Sequence, residues 1–248
     1  MKSAQAAANE RLLVRIEDIF TSSGGTYGSP RVHAVLRRQG IRAGRKRVAR
    51  LMRVNGLRAR SSRIYRRTPG TARFFGAIPN RVIDLKTSRV DEVWVGDITY
   101  LTVAGRWRYL AVVMDRHSRR IVGWKLAPRR DLSLTLGALD QAAARRRPAA
   151  GLIFHSDRGS EFAAYAYRDR LEALGITQSM KRPREITDNA FIESFFGSLK
   201  ADVVHASVFN DDHELRIAVS NYIRRYNRSR LHSSLGYRSP IDFERQSA

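Results

Sequence analysis

Three acidic side chains sit where an acid is costly unless a cation accompanies it. Asp97 lies in the run 93–103, and on its face of the strand pattern the neighbours are Val93, Val95, Thr99 and Leu101. Asp157 follows the apolar run Leu152-Ile153-Phe154 and precedes Arg158-Gly159, the position of a strand's end. Glu193 stands among Phe191, Ile192, Phe195 and Phe196. An unpaired carboxylate in apolar surroundings pays a large desolvation penalty, so each of these acids calls for a positive partner. Helical spacing puts Ile192, Phe195, Phe196, Leu199 and Val203 on one stripe, and Asn189, Glu193 and Lys200 on a second. An amide, a carboxylate and an ammonium facing one cleft suit metal binding beside a phosphate. Spacing alone leaves Asp115 open as a further candidate, with a plain turn at the strand's end the favoured reading. His155 reads as a packed strand-end histidine and Asp188 as a helix N-cap.

Composition narrows the chemistry. The chain has no cysteine, which excludes disulfides, thiolate zinc sites and a cysteine nucleophile, and its six histidines form no closely spaced pair. Any metal must therefore be held by oxygen. The net charge is +23, and residues 1–75 carry 18 Lys and Arg against three Asp and Glu. Such a balance points to a polyanion, and nucleic acid fits better than a membrane surface. No apolar run approaches the roughly 20 residues of a spanning helix, and no signal peptide opens the chain. A cytoplasmic, nucleoid-associated protein is expected.

The elements that must position these residues fall into blocks. Residues 1–60 read as a small all-α, helix-turn-helix-like module with helices over Glu10–Phe20, from Pro30 to Gly40, and from Arg45 to Gly56. Arg45, Lys46, Arg47, Arg50 and Arg53 ride on its last helix and are candidates to follow a DNA groove or backbone. Residues 61–90 read as a basic linker. Strands follow over Val93–Val103, Trp107–Met114 and Arg120–Leu126. A helix is expected over Leu132–Arg146, a strand over Leu152–His155, a helix over Glu161–Leu174, a strand over Ile176–Met180 and a helix over Asp188–Val204. This alternation gives an α/β fold, a mixed sheet flanked by helices, over 91–205. A last helix at 211–228 and an irregular tail over Arg228–Phe243 complete the 206–248 segment.

The residues resemble a known family. WVGDITY (Trp94–Tyr100), HSDRGSEF (His155–Phe162) and DNAFIESFFGSLK (Asp188–Lys200) are similar to the three signature blocks of bacterial insertion-sequence DDE transposases, in particular the OrfB-type catalytic subunit with its retroviral-integrase-like core. Asp157 and Glu193 are separated by 35 residues, the spacing of the D,D(35)E pattern. RRIVGW (Arg119–Trp124) and YNRSRLHSSLGYRSPIDF (Tyr226–Phe243) also match, so the resemblance covers about 25 to 245. Lys181–Glu185 departs from the family pattern by lacking its glycine, and Thr187 stands where an aromatic is usual.

The resemblance implies an RNase-H-like core with Asp97, Asp157 and Glu193 as catalytic, metal-binding residues for two Mg²⁺ or Mn²⁺ ions, and Lys200, Asn189 and Arg158 near DNA. It implies metal-dependent cleavage of insertion-sequence ends followed by attack of the freed 3′-OH on a second phosphodiester. Partners would be DNA ends and target, an OrfA-type protein (separate or fused), and further copies of the chain. The rival readings are an RNase-H-like nuclease without strand transfer and a catalytically impaired DNA-binding regulator. A tyrosine recombinase built on Tyr226, Arg230 and His232 is weaker, because no spaced Arg-His-Arg-Tyr set accompanies them.

Overall fold

The computed structural model describes residues 4–59, 78–182, 190–204 and 207–247. The chain divides into two compact units, Met1–Ser62 with Leu231–Tyr237, and Arg63–Arg230 with Arg238–Ala248.

The first unit holds α1 (Ala4–Ser22), α2 (Ser29–Arg38) and α3 (Arg45–Val54). Apolar residues at helical spacing meet in one core: Leu12, Ile16 and Ile19 of α1, Val32 and Leu36 of α2, and Val48, Leu51 and Met52 of α3. Gly40 and Gly56 follow α2 and α3 with φ of 75° and 69°, the left-handed conformation that ends a helix with least strain. Helix α1 begins six residues earlier than the apolar pattern indicates, through an alanine-rich stretch that favours helix without marking a face. The 231–237 segment belongs to this unit. Its Leu231 N–H donates to the Tyr27 hydroxyl at 3.0 Å, and its Leu231 carbonyl accepts from Arg31 Nε at 2.7 Å.

The second unit is built on a five-stranded sheet in the order β3-β2-β1-β4-β5. Strands β1 (Val93–Val103), β2 (Arg106–Asp115) and β3 (Ile121–Ala127) form an antiparallel meander; β4 (Ile153–Ser156) and β5 (Thr177–Met180) add in parallel to β1. Successive side chains point to opposite faces, so the strands feed two cores. Val93, Val95, Leu101, Val103, Val112 and Met114 pack on α7 (Ala190–Leu199) and α8 (Asp212–Arg228). Trp94, Ala111, Val113, Val122 and Phe154 pack on α4 (Leu132–Arg146), α5 (Ser160–Ala163) and α6 (Tyr165–Ala173).

Three expectations change. The helix expected over Glu161–Leu174 is broken at Ala164, whose ψ is 140°. Phe162 and Tyr167 are five residues apart, about 140° around a continuous helix. The break lets both pack against Phe154, with centroids 6.0 and 5.7 Å away. The helix through Glu193 runs as α only to Leu199 and continues as a π turn over Lys200–Val204. The tail expected to be irregular ends in α9 (Pro240–Ser247). Pro240 sits in its first turn, and Ser239 Oγ accepts the Asp242 N–H at 3.2 Å, a capping signal. Asp115 serves the turn it was expected to serve: its carboxylate accepts from Ser118 N, Ser118 Oγ and Asp91 N. Asp188, Asn189, Thr187 and most of the departing 181–185 loop lie outside the described residues, as do 60–77 of the linker.

Candidate active site

The parallel register sets the site. Gly96 of β1 pairs with Ser156 of β4, and Ser156 pairs with Met180 of β5. The next residues are Asp157 and Lys181, at the carboxyl edge of β4 and β5, and Asp97, still inside β1 and beside Asp157. Neighbouring strands are about 4.8 Å apart, so register alone ranks two aspartates and a lysine side by side. Gly96 permits the arrangement. A Cβ there would clash with Phe154 Cζ and lie 3.0 Å from Cε1, so only glycine lets the Phe154 ring cross β1 beneath the acids.

The electrostatics follow from the closeness of these groups. Burial pushes the Asp97 carboxyl well above the ordinary 3.8, and the charges of Asp157 and then Glu193 add to it, against the Ile98 N–H and Arg130. Asp157 is raised mainly by burial and further by Glu161, opposed by the Gly159 N–H, Arg130 and Lys181. The Gly159 N–H donates to Asp157 Oδ1 at 3.0 Å. Two buried carboxyls, both raised by burial and each raised further by a neighbouring carboxylate, mark a place with more negative charge than the protein itself neutralises.

Glu193 is brought to the same edge by α7. Ile192, Phe195, Phe196 and Leu199 are buried on the sheet and α8, with the Phe195 ring edge-on to Tyr226 at 4.9 Å. The Phe191 ring is covered by the Arg119 guanidinium at 3.4 Å, which pins the start of the helix. The Glu193 side chain is 40% exposed, and its Oε1 lies 3.9 Å from Lys181 Nζ. Among the described residues no group of three or more His, Cys, Asp or Glu side chains is gathered into a metal-ligand set. The three acids share one field of charge, with Glu193 beside Lys181. Lys200, seven residues on, is near Asp97; burial lowers its pKa and the Asp97 charge raises it. Its Nζ lies 4.2 Å from the Tyr100 ring centroid.

The other expected residues are spread more widely. Arg158 donates from Nε to the Lys181 carbonyl at 2.7 Å and from Nη2 to Ile78 O at 3.4 Å, so it ties the β5 exit to the chain before the sheet. In the helical unit, Arg45, Lys46 and Arg50 are exposed on α3. Arg47 is turned inward, with Nε donating to Asn9 Oδ1 at 2.8 Å. Asn189 lies outside the described residues. His155 is packed, its Nδ1 2.9 Å from Ser179 Oγ. Tyr226 is 4% exposed and faces the core.

A helix-turn-helix-like domain model matches residues 7–65, and two integrase core domain models match 87–185 and 174–240. The chain is 35% identical over 245 residues to the transposase for insertion sequence element IS904 of Lactococcus lactis subsp. lactis, covering 98% of this chain and 97% of that one. It is 38% identical over 229 residues to transposase InsF for insertion sequence IS3A of Escherichia coli K12, covering 91% and 79%. The chain belongs to the IS3 family of transposases.

Solved structures agree on the fold. The catalytic core of HTLV-2 integrase, solved with magnesium, superposes with a TM-score of 0.52 at 14% identity, over 64% of this chain and 99% of that one. The simian T-cell lymphotropic virus intasome gives 0.54 at 17%, over 92% and 74%. This transposase is thus a polynucleotidyl transferase with an integrase-type core. Its structure adds three residues to the site that the sequence alone did not single out. Lys181 arrives through the β4–β5 register. Arg130, just before α4, forms a bidentate pair with Glu161 at 2.7 and 3.1 Å and lowers the pKa of both aspartates. Glu161 was visible inside HSDRGSEF, but nothing in that string reveals its partner 31 residues earlier.

Proposed function

We propose that this transposase cuts and joins DNA at the ends of its insertion sequence through Asp97, Asp157 and Glu193, the residues that hold its divalent cations. The observation that carries the reading is the parallel register that sets Asp97 and Asp157 on adjacent strands, with burial and the Asp157 charge raising the Asp97 carboxyl. The donors are all hard oxygens, which fits Mg²⁺ or Mn²⁺ and excludes a thiolate site in a chain without cysteine. Held by these three carboxylates, two such ions would supply activation of the attacking hydroxyl and stabilisation of the leaving 3′ oxygen.

The chain's own groups do the rest. Lys200 and Arg130 are cations at the rim and grip phosphate. Glu161 orients Arg130 through both its oxygens, which fixes the guanidinium plane. Lys181 supplies counter-charge beside Glu193 and Asp157. The exposed Arg45, Lys46 and Arg50 of α3 hold the DNA backbone, independent of sequence. The tyrosine-nucleophile alternative loses its footing because Tyr226 is enclosed by Phe195 and Tyr222. DNA is the partner; the reading extends to an OrfA-type protein and to several protomers assembled on the paired ends.

The experiment is to incubate purified protein with a labelled end-containing duplex and Mg²⁺ or Mn²⁺ and size the products. A second arm offers pre-cleaved ends. Longer products from the second arm support transposition. Nicks without joining make the protein a nuclease, and metal-independent or absent cleavage refutes the reading.

A further inference from the structure

Two large aromatic side chains stand out of the β1–β2 hairpin within reach of the acids. Trp107 is 53% exposed and Tyr100 is 43% exposed. The register pairs Thr102 with Trp107 and Tyr100 with Tyr109, so Tyr100 and Trp107 are diagonal neighbours on one face of the ribbon. Their rings meet edge to face, with centroids 4.9 Å apart and planes at 86°. Strand β4 pairs only with Val93–Gly96. Beyond Gly96 that side of β1 is bordered by no strand among the described residues, and there Lys200 brings its ammonium to 4.2 Å from the Tyr100 ring centroid. The same ammonium interacts with Asp97. Asp97 and Tyr100, three residues and about 10 Å apart along β1, point to opposite faces of the strand, so Lys200 meets both across its open edge.

A crossed ring pair needs only one edge from one partner, so it leaves flat π surface facing solvent. The surroundings are cationic, with Lys200 on Tyr100 and the exposed Arg106 next to Trp107. Flat aromatic surface bordered by cations suits a nucleotide, whose base stacks while its phosphate meets the ammonium. An apolar protein segment would gain nothing from Lys200 and Arg106.

We propose that Tyr100 and Trp107 form a stacking platform for an unpaired base of the DNA end, with Lys200 holding that nucleotide's phosphate between the platform and Asp97. The platform fixes the frayed strand so that the adjoining phosphodiester lies against the acids. This rests on the reading of Asp97 as part of the cutting site. Tyr100 and Trp107 are thus positioning residues, acting on the strand and not on the reacting bond.

The test uses the full chain carrying Asp97→Asn, which removes turnover, and a duplex with a short unpaired overhang containing 2-aminopurine, beside its blunt counterpart. Stacking should quench 2-aminopurine on binding and make the overhang duplex the tighter ligand. Tyr100→Leu and Trp107→Leu, which keep apolar bulk without a π face, should restore the emission. Each should weaken overhang binding by roughly 5- to 100-fold, as expected for removal of one stack, and leave blunt binding within about twofold. Tyr100→Phe and Trp107→Phe should behave as the parent. If a leucine variant fails to fold, the parent alone decides: emission unchanged on binding, or equal affinity for the two duplexes, overturns the platform. So does a leucine variant that keeps the parent's overhang preference, or one that loses only the binding of a protein partner. Cleavage by the Asp97→Asn protein would instead sink the underlying assignment of Asp97, whatever the emission does.

Discussion

Gly96→Ala is the smallest change that should disturb the active site without touching an acid. The added Cβ would clash with Phe154 Cζ and sit 3.0 and 3.3 Å from Cε1 and Cε2, where about 3.5–4.0 Å is comfortable. The Phe154 ring is fully buried and flanked by Phe162 and Tyr167, so it cannot swing aside. The backbone has little freedom either, because Gly96 is paired to Ser156 on one side and Val113 on the other. Overpacking of this kind costs about 1–3 kcal/mol. At about 2–4 °C per kcal/mol for a unit of this size, melting should fall by roughly 2–12 °C. Strand separation at this point also parts Asp97 from Asp157, so cleavage should fall by more than the loss of folded protein explains. Phe154→Leu removes the far ring carbons. In the double variant part of the cost should return, a favourable coupling of about 0.5–3 kcal/mol in a double-mutant cycle. Thermal melts and end-cleavage rates of the four proteins measure both effects. A Gly96→Ala protein that melts and cuts like the parent, or a cycle with no coupling, refutes the proposed packing beneath the acids.

Other expectations follow from the same geometry. Because burial and Asp157 raise the Asp97 carboxyl above 3.8, the folded state binds that proton more tightly than the unfolded chain. The stability it lends is full below 3.8 and is lost as pH rises through the raised value. In EDTA, Asp97→Asn should therefore melt higher than the parent at neutral pH and alike near pH 3.8, and melts across pH would expose the opposite order. Alanine at Arg45, Lys46 and Arg50 should weaken DNA binding across sequences and reduce the slope of log K against log salt by about 0.9 for each phosphate no longer neutralised; an unchanged slope clears α3 of that role. Tyr226→Phe should keep cleavage within a few-fold. Loss of cleavage together with a covalent protein–DNA adduct in the parent would reinstate the tyrosine mechanism.

The sequence was informative where chemistry and periodicity coincide. Strands β1 to β3 were readable to within a residue or two because alternation and the Ala104-Gly105 turn leave one solution, and the three acids stood out as charges in apolar runs. Contributions that depend on register or distant pairing were hidden. Lys181 is an ordinary lysine until β5 pairs beside β4, and Arg130 an ordinary loop arginine until Glu161 meets it. The break at Ala164 follows from where Phe162 and Tyr167 must pack, which local propensity does not encode. Arg47 shows the reverse error, since a basic run on α3 read as one surface while Asn9 draws one member inward. The helix at Pro240 was legible after all, in the Ser239-Pro240-Ile241-Asp242 capping pattern.

The claim on which the rest depends is that Asp97, Asp157 and Glu193 together hold the metal. Anomalous diffraction from crystals of the DNA-bound transposase grown with Mn²⁺ addresses it directly. The expected map has its manganese peaks bounded by these three carboxylates, where β4 ends beside the middle of β1. Peaks elsewhere, or peaks that Glu193 does not touch while it stays beside Lys181, would contradict the account.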